Sequence, residues 1–329
     1  MNKFLLSIII PCYNEAENLK EFYRRAKAVL AVYEYYLLFI DDGSTDGSLE
    51  ILKNLAAADD RVRYVHLSRN FGHQNALKAG YDHARDADCV VCMDADIQHP
   101  PELIPQLIAQ WQKGYKVVNT RRMDNGSEPV LKRLASKGFY SVINRISNLK
   151  LVPGGADFRL LDAQVVTQLS FFNENALFMR ELVPWLGFKQ CTVAFDVEER
   201  FGGNSKYSFK KQVSFSLRGL VSSSIAPLRA AIFIGLVIAG LSFAYGIYAL
   251  YVHWFTVKAL PGWTSVMAGI LFVGGLQLLL MGIIGEYLGK TFLESRKRPL
   301  YIVEECSTGS LKQHNPVILR EREKLDIDM

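Results

Sequence analysis

The sequence predicts an α/β domain on a mainly parallel sheet, followed by an amphipathic segment and two apolar helices. Three observations carry that prediction. Short β-rich runs alternate with longer stretches of helical periodicity up to Thr120. Acidic and polar residues stand directly after the apolar runs. Two long uncharged segments lie near the C-terminus. Alternation of this kind is the pattern of βαβ units, whose parallel sheet is covered by helices on both faces.

The predicted strands are residues 5–10, 36–40, 63–67, 89–93 and 116–119, and the helices between them are near 15–32, 47–57, 74–84 and 101–113. The opening run, Leu5 to Ile10, stops at Pro11 and lacks a small-residue cleavage site, so it reads as a buried first strand and not as an export signal. The first 200 or so residues are therefore expected in the cytoplasm. Five scattered cysteines make no disulfide framework and suggest a reducing compartment. Cys89 and Cys92 form a CxxC inside an apolar run. Residues three apart on a strand point to opposite faces, so the pair reads as core, neither redox couple nor zinc knuckle.

Residues 230–252 hold 23 positions without a formal charge, and residues 259–285 hold 27. At about 1.5 Å per residue, either can cross a hydrocarbon core of about 30 Å. Trp254 and Trp263 stand at the ends facing the short connector, as in an aromatic belt. Lys210, Lys211, Arg218, Arg296, Lys297 and Arg298 flank the pair on the outside, against Lys258 alone in the connector. The positive-inside rule then puts both chain ends in the cytoplasm and a small loop outside. The expected divisions are a catalytic domain over 1–205, a juxtamembrane amphipathic segment over 206–229, two transmembrane helices over 230–290 and a cytoplasmic tail over 291–329, flexible after Tyr301. Glycines in both spans permit close helix contact and suggest a homo-oligomer. The net charge of +5 is mild and gives no reason to expect a nucleic acid partner.

In parallel sheets ligands bind beyond the carboxyl ends of the strands. Asp94-Ala95-Asp96, with Gln98 two residues on, supplies oxygen ligands suited to a hard divalent cation, although an acidic pair before Pro100-Pro101 also serves as a helix cap. Asp41-Asp42-Gly43-Ser44 ends the second strand similarly: it suits a ribose or base contact, or a plain turn. Together the two acidic ends favour a nucleotide diphosphate with metal. Neither GxGxxG nor GxxxxGK[ST] occurs, so a dinucleotide cofactor and a P-loop are unsupported.

Six ordered motifs then make a resemblance. Pro11-Cys12-Tyr13-Asn14-Glu15, Asp41-Asp42-Gly43-Ser44, Arg69-Asn70-Phe71-Gly72, Asp94-Ala95-Asp96-Ile97-Gln98, Asp157-Phe158-Arg159-Leu160 and Ser205-Lys206-Tyr207 resemble the family-2 GT-A glycosyltransferases. Within these the chain is similar to the polyprenyl-phosphate glycosyltransferases, such as dolichol-phosphate mannose synthase and bactoprenol glucosyltransferase. The resemblance implies that Pro11, Tyr13, Glu15, Asp42 and Arg69 cradle the nucleotide, with Asp42 facing the base. It implies that Asp94, Asp96 and Gln98 bind Mg²⁺ or Mn²⁺ and the donor's phosphates, that Asp157 stands beside the reacting sugar, and that Arg200 and Lys206 lie near the phosphates. The basic residues Arg121, Arg122, Lys132 and Arg133 are candidates for the acceptor's phosphate.

The function so implied is inverting, metal-dependent transfer of a hexose from a nucleotide diphosphate sugar to undecaprenyl phosphate, in contact with membrane lipids. The donor expected is UDP-linked glucose, N-acetylglucosamine or galactose. A lipid monophosphate is already ionised near neutrality, its second pKa being about 6. Asp157 is therefore expected to orient the sugar or help manage the metal, in preference to acting as a base. Two alternatives stand beside this: the same fold with a different acceptor, and a non-catalytic membrane-tethered protein that binds sugar nucleotides.

Overall fold

The computed structural model describes residues 3–96, 98–122, 155–175, 177–195, 226–255 and 262–307. Apolar runs bounded by polar turns form the strands, and the amphipathic stretches between them form helices that cover both sheet faces. In chain order these are β1 (Leu5–Cys12), α1 (Ala16–Leu30), β2 (Glu34–Asp41), α2 (Ser48–Ala58), β3 (Val62–Leu67), α3 (His73–His83) and β4 (Cys89–Cys92). A 3₁₀ turn, Pro101–Leu103, leads into α4 (Ile104–Gln112) and β5 (Val117–Arg122). Every strand and helix predicted before Thr120 is present. Beyond it come β6 (Gly155–Asp162), α5 (Ala163–Leu169), α6 (Met179–Trp185), β7 (Gln190–Phe195), α7 (Ala226–Phe255), α8 (Trp263–Ser295) and β8 (Val303–Cys306).

The strands form one sheet in the order β7-β5-β6-β4-β1-β2-β3-β8. The pairs β1/β2, β1/β4, β2/β3 and β5/β7 are parallel, whereas β4/β6, β5/β6 and β3/β8 are antiparallel. The sheet is thus mainly parallel, with β6 as the antiparallel insert beside β4.

Alternation along each strand divides the core. Leu6, Ile8, Ile10, Leu37, Phe39 and Cys89 pack with Leu19, Phe22 and Ile104 on one face. Ile9, Leu38, Ile40 and Cys92 pack with Leu77, Val165 and Met179 on the other. Fully burying a side chain of this size contributes about 1.5–3 kcal/mol. Cys89 and Cys92 lie in opposite clusters, both buried and free, in agreement with their reading as core.

The expected flexible tail after Tyr301 is corrected by the structure in its first residues. Leu300 and Tyr301 are buried, and Val303–Cys306 closes the exposed edge of β3 as an antiparallel strand. Glu305 accepts a hydrogen bond from Tyr64 Oη at 2.7 Å and lies 2.9 Å from Lys53 Nζ. An open strand edge carries unpaired backbone groups that favour such a partner, and nothing in the local pattern of an acidic pair announces it.

The chain divides into two compact units, Met1–Lys206 with Arg298–Met329, and Tyr207–Lys297. In the second, Phe272–Ser295 is long and apolar enough to cross a membrane, and the helix that carries it runs to Ser295, past the expected limit at residue 290. The other helix carries a shorter apolar stretch, Ala231–Tyr245. Phe233 and Leu278, at 70% and 72% exposure, show how openly both helices present apolar side chains. The expected amphipathic segment lies outside the described residues as far as residue 225.

Candidate active site

The loops after β1, β2 and β3 are tied to one another. Asn14 adopts a left-handed backbone (φ 56), which asparagine tolerates, and its N–H donates to Ser44 Oγ at 2.9 Å. Thr45 N donates to Asn14 Oδ1 at 2.8 Å, and Glu15 N to Ser48 Oγ at 3.0 Å. Asp42 is buried, and its two oxygens accept from Phe71 N at 2.7 Å and Gly72 N at 2.9 Å. This carboxylate thus anchors the third loop to the second. Burial pushes its pKa up, and the two backbone donors only partly offset that.

Gly43 makes the contact between those loops possible. Its φ is +70, and a Cβ there would stand 2.5 Å from the backbone carbon of Arg69. Gly43→Ala is expected to destabilise the chain by at least about 1 kcal/mol, through both strain and collision with backbone. Chemical denaturation checks this, and a wild-type midpoint would refute it.

The predicted nucleotide residues occupy this rim. Pro11 is the last residue but one of β1, in register with Ile40, and Tyr13 is 40% exposed. Glu15 Oε2 accepts from Asn18 Nδ2 at 2.6 Å, at the start of α1. Arg69 is exposed, its guanidinium lying 4.2 Å from the Phe71 ring centre.

The second half of the site is built by β4 and β6. Cys92 pairs with Arg159, and continuing that antiparallel register carries Asp157 opposite Asp94. Asp94 follows β4 and is partly exposed, and its carboxylate lies 3.6 Å from His99 Nδ1. Asp96 Oδ1 accepts from Gln98 N at 3.2 Å, a local turn that holds the acidic loop. Among the described residues no group of three His, Cys, Asp or Glu is gathered as for a metal ion.

Asp157 is buried and clamped. Arg180 donates to both its oxygens at 3.0 Å, Arg159 Nη2 donates at 3.2 Å, and His73 Nε2 stands 3.6 Å away. Burial pushes the carboxyl up, but His73 and the charges of Arg180 and Arg159 outweigh it and hold it far below the ordinary carboxylate range. The same His73 nitrogen is 3.8 Å from Asp94 Oδ1. Burial lowers the imidazole's pKa, yet Asp157 and Asp94 together raise it above the ordinary value.

The structure therefore brings Asp94 and Asp157 together around His73. His73, His99 and Arg180 were missed in the sequence. His73 directly follows the Arg69-Asn70-Phe71-Gly72 motif, a signal that was available. Arg180 comes from α6, and no local pattern marks it. Arg121 is exposed on β5, its backbone paired with Gly155 two residues before Asp157. Arg122 ends the same strand, paired with Phe195. Lys132, Arg133, Arg200 and Lys206 lie outside the described residues.

Residues 7–169 match the family described as Glycosyl transferase family 2, and residues 226–291 match the GtrB C-terminal hairpin. An uncharacterized glycosyltransferase of Synechocystis is 39% identical over 302 residues, covering 91% of this chain and 95% of the relative. The chain belongs to glycosyltransferase family 2. The SfII prophage-derived bactoprenol glucosyl transferase of Shigella flexneri is 36% identical to this glycosyltransferase over 307 residues, 93% of the chain and 99% of the relative. Among solved structures, glucosyl-3-phosphoglycerate synthase from Mycobacterium tuberculosis is 16% identical with a TM-score of 0.49, covering 66% of this chain and 78% of that one. The family expected from the six motifs is the one found, and the glycosyltransferase has the GT-A arrangement of a mostly parallel sheet between helices.

Proposed function

We propose that the glycosyltransferase moves a hexose from a nucleotide diphosphate sugar to undecaprenyl phosphate, with inversion at the anomeric carbon. The donor in this reading is UDP-linked glucose, N-acetylglucosamine or galactose. The observation that carries the reading is the meeting of Asp94 and Asp157 at one histidine nitrogen, beyond the carboxyl ends of the parallel strands, in a chain that also exposes long apolar helices. The bactoprenol transferase named above supports the acceptor class.

Asp94 and Asp96 are carboxylates on one partly exposed loop, with Gln98 beside them, an all-oxygen set that fits Mg²⁺ or Mn²⁺ once the donor's phosphates complete the ligands. Bound there, the ion would offset the negative charge that builds on the departing diphosphate. Pro11, Tyr13, Glu15 and Arg69 line the rim that receives the nucleoside, and Asp42 acts there by holding the Phe71-Gly72 backbone in place. Asp157 is ionised and already engaged by Arg159, Arg180 and His73, so it orients the sugar and takes no proton. The acceptor phosphate needs alignment and not deprotonation. Arg200 and Lys206 serve the donor's phosphates. Arg121, Arg122, Lys132 and Arg133 attract the phosphate of the lipid at the membrane surface.

In this reading α7 and α8 cross the membrane as a hairpin, with the catalytic domain of residues 1–205 and both termini cytoplasmic, residues 206–229 lying along the interface, and the chain forming a homo-oligomer. The test incubates purified full-length protein with undecaprenyl phosphate, Mg²⁺ and a panel of labelled nucleotide sugars, and counts label in the organic phase. Transfer from one donor, abolished by chelator, is the expected result. A folded protein that transfers from none of them, with lipid present, would sink the acceptor assignment.

A further inference from the structure

His73 opens α3 and belongs to none of the six motifs. Its Nε2 faces both Asp94 Oδ1 at 3.8 Å and Asp157 Oδ2 at 3.6 Å, so one nitrogen stands between carboxylates from two neighbouring strands. Two such groups repel unless an N–H or a cation separates them. The backbone around His73 is itself fixed from two directions. Gly72, with φ +94, donates its N–H to Asp42 at the end of β2. Gln74 Oε1 accepts from Met179 N at 2.8 Å, which joins the start of α3 to the helix that carries Arg180.

His73 reaches both carboxylates. Arg159 and Arg180 compensate the buried charge of Asp157, and Arg180 Nη2 approaches the same Oδ2 as His73. His99 packs against Asp94, with its ring stacked on Phe158. His73 is 42% exposed and reaches across from a third element. A side chain whose only task was to fill the core would not stand so open, facing two acidic groups.

We propose that His73 is a positioning residue, which sets the separation of the Asp94 and Asp157 carboxylates so that the diphosphate end and the sugar end of the donor are gripped in register. The inference rests on the reading of those two residues as donor-facing. It implies that the imidazole acts through its N–H and not through its bulk. A group that holds reacting parts in alignment affects turnover more than ground-state affinity.

The test compares His73→Leu, which keeps volume but has no N–H, with His73→Gln, which offers an amide N–H at similar reach. Full-length protein is assayed for kcat, donor KM, thermal midpoint and binding of UDP-glucose, UDP-N-acetylglucosamine and UDP-galactose by calorimetry with Mg²⁺. The Leu variant is expected to lose about 100-fold in kcat. Its donor KM should rise less than about tenfold with the thermal midpoint unchanged, and the Gln variant should recover at least about a tenth of wild-type turnover. Equal loss in both variants, a loss that follows the thermal midpoint, or wild-type turnover in the Leu variant would each overturn the proposal. If wild type binds a donor but transfers to no polyprenyl phosphate, the acceptor reading fails and calorimetry decides the role of His73. A modest weakening of binding in the Leu variant, under about tenfold and restored by Gln, then supports positioning, and equal affinities refute it.

Discussion

Asp157→Ala is expected to lower the unfolding free energy by about 3–5 kcal/mol, the cost of removing one member of a buried ion pair. The loss leaves Arg159, 2% exposed, without its carboxylate, and it frees Arg180 from a bidentate contact. Denaturation of the solubilised full-length chain measures it, and a loss below about 1 kcal/mol would refute the clamp. The consequence for mechanism is direct: inactivity of an Asp157 variant counts against a purely structural role only if its fold is intact. The milder Asp157→Asn, with donor binding and stability followed together, separates the two. The pH dependence points the same way. Folding depresses this carboxyl, so it adds stability that is fully present above the unfolded value of about 3.9 and is lost only as pH falls through the lower folded value. Between about pH 5 and 8 Asp157 therefore stays charged, and the kcat profile should show no acid limb that belongs to it. A limb in that range that disappears in Asp157→Asn would restore the base role.

The second large effect lies at the far end of α3. Lys78 is 1% exposed, and its ammonium donates to both oxygens of Asp82 at 2.6 and 2.7 Å and to Ser170 O at 3.1 Å. Tyr301 Oη donates to Asp82 at 2.9 Å, which ties the segment after α8 to α3. Burial holds the Lys78 pKa below its ordinary value despite the facing carboxylate, a sign that desolvation is the dominant cost there. Asp82→Ala strips the ammonium of its counter-charge and is expected to destabilise by about 3–5 kcal/mol. The double substitution Lys78→Met with Asp82→Leu should regain most of that loss, because it removes both charges from the interior. Denaturation midpoints of the single and double variants decide the matter. A double variant no better than Asp82→Ala would show that the network, and not the stranded charge, was responsible.

The five strands and four helices before Thr120 were legible because strand and helix periods are written in consecutive residues. Each buries a face that its own sequence declares. The loops after those strands were legible as candidate sites, since ligands bind beyond the carboxyl ends of parallel strands. That ground alone left Asp94, Asp96 and Asp42 open to a helix-cap or turn reading, and the two acidic ends together with the six motifs singled them out. The edge strand Val303–Cys306 was not, because its pairing with β3 depends on an open edge more than 230 residues earlier in the chain. Asp157 was found through its motif, but not its state of charge. That state depends on Arg180 from α6 and His73 from α3, which only folding brings within reach. Local sequence determined which elements form and which ends carry acid. Tertiary structure decided which carboxylate is caged by cations, because electrostatic interaction depends on distance through space and not along the chain.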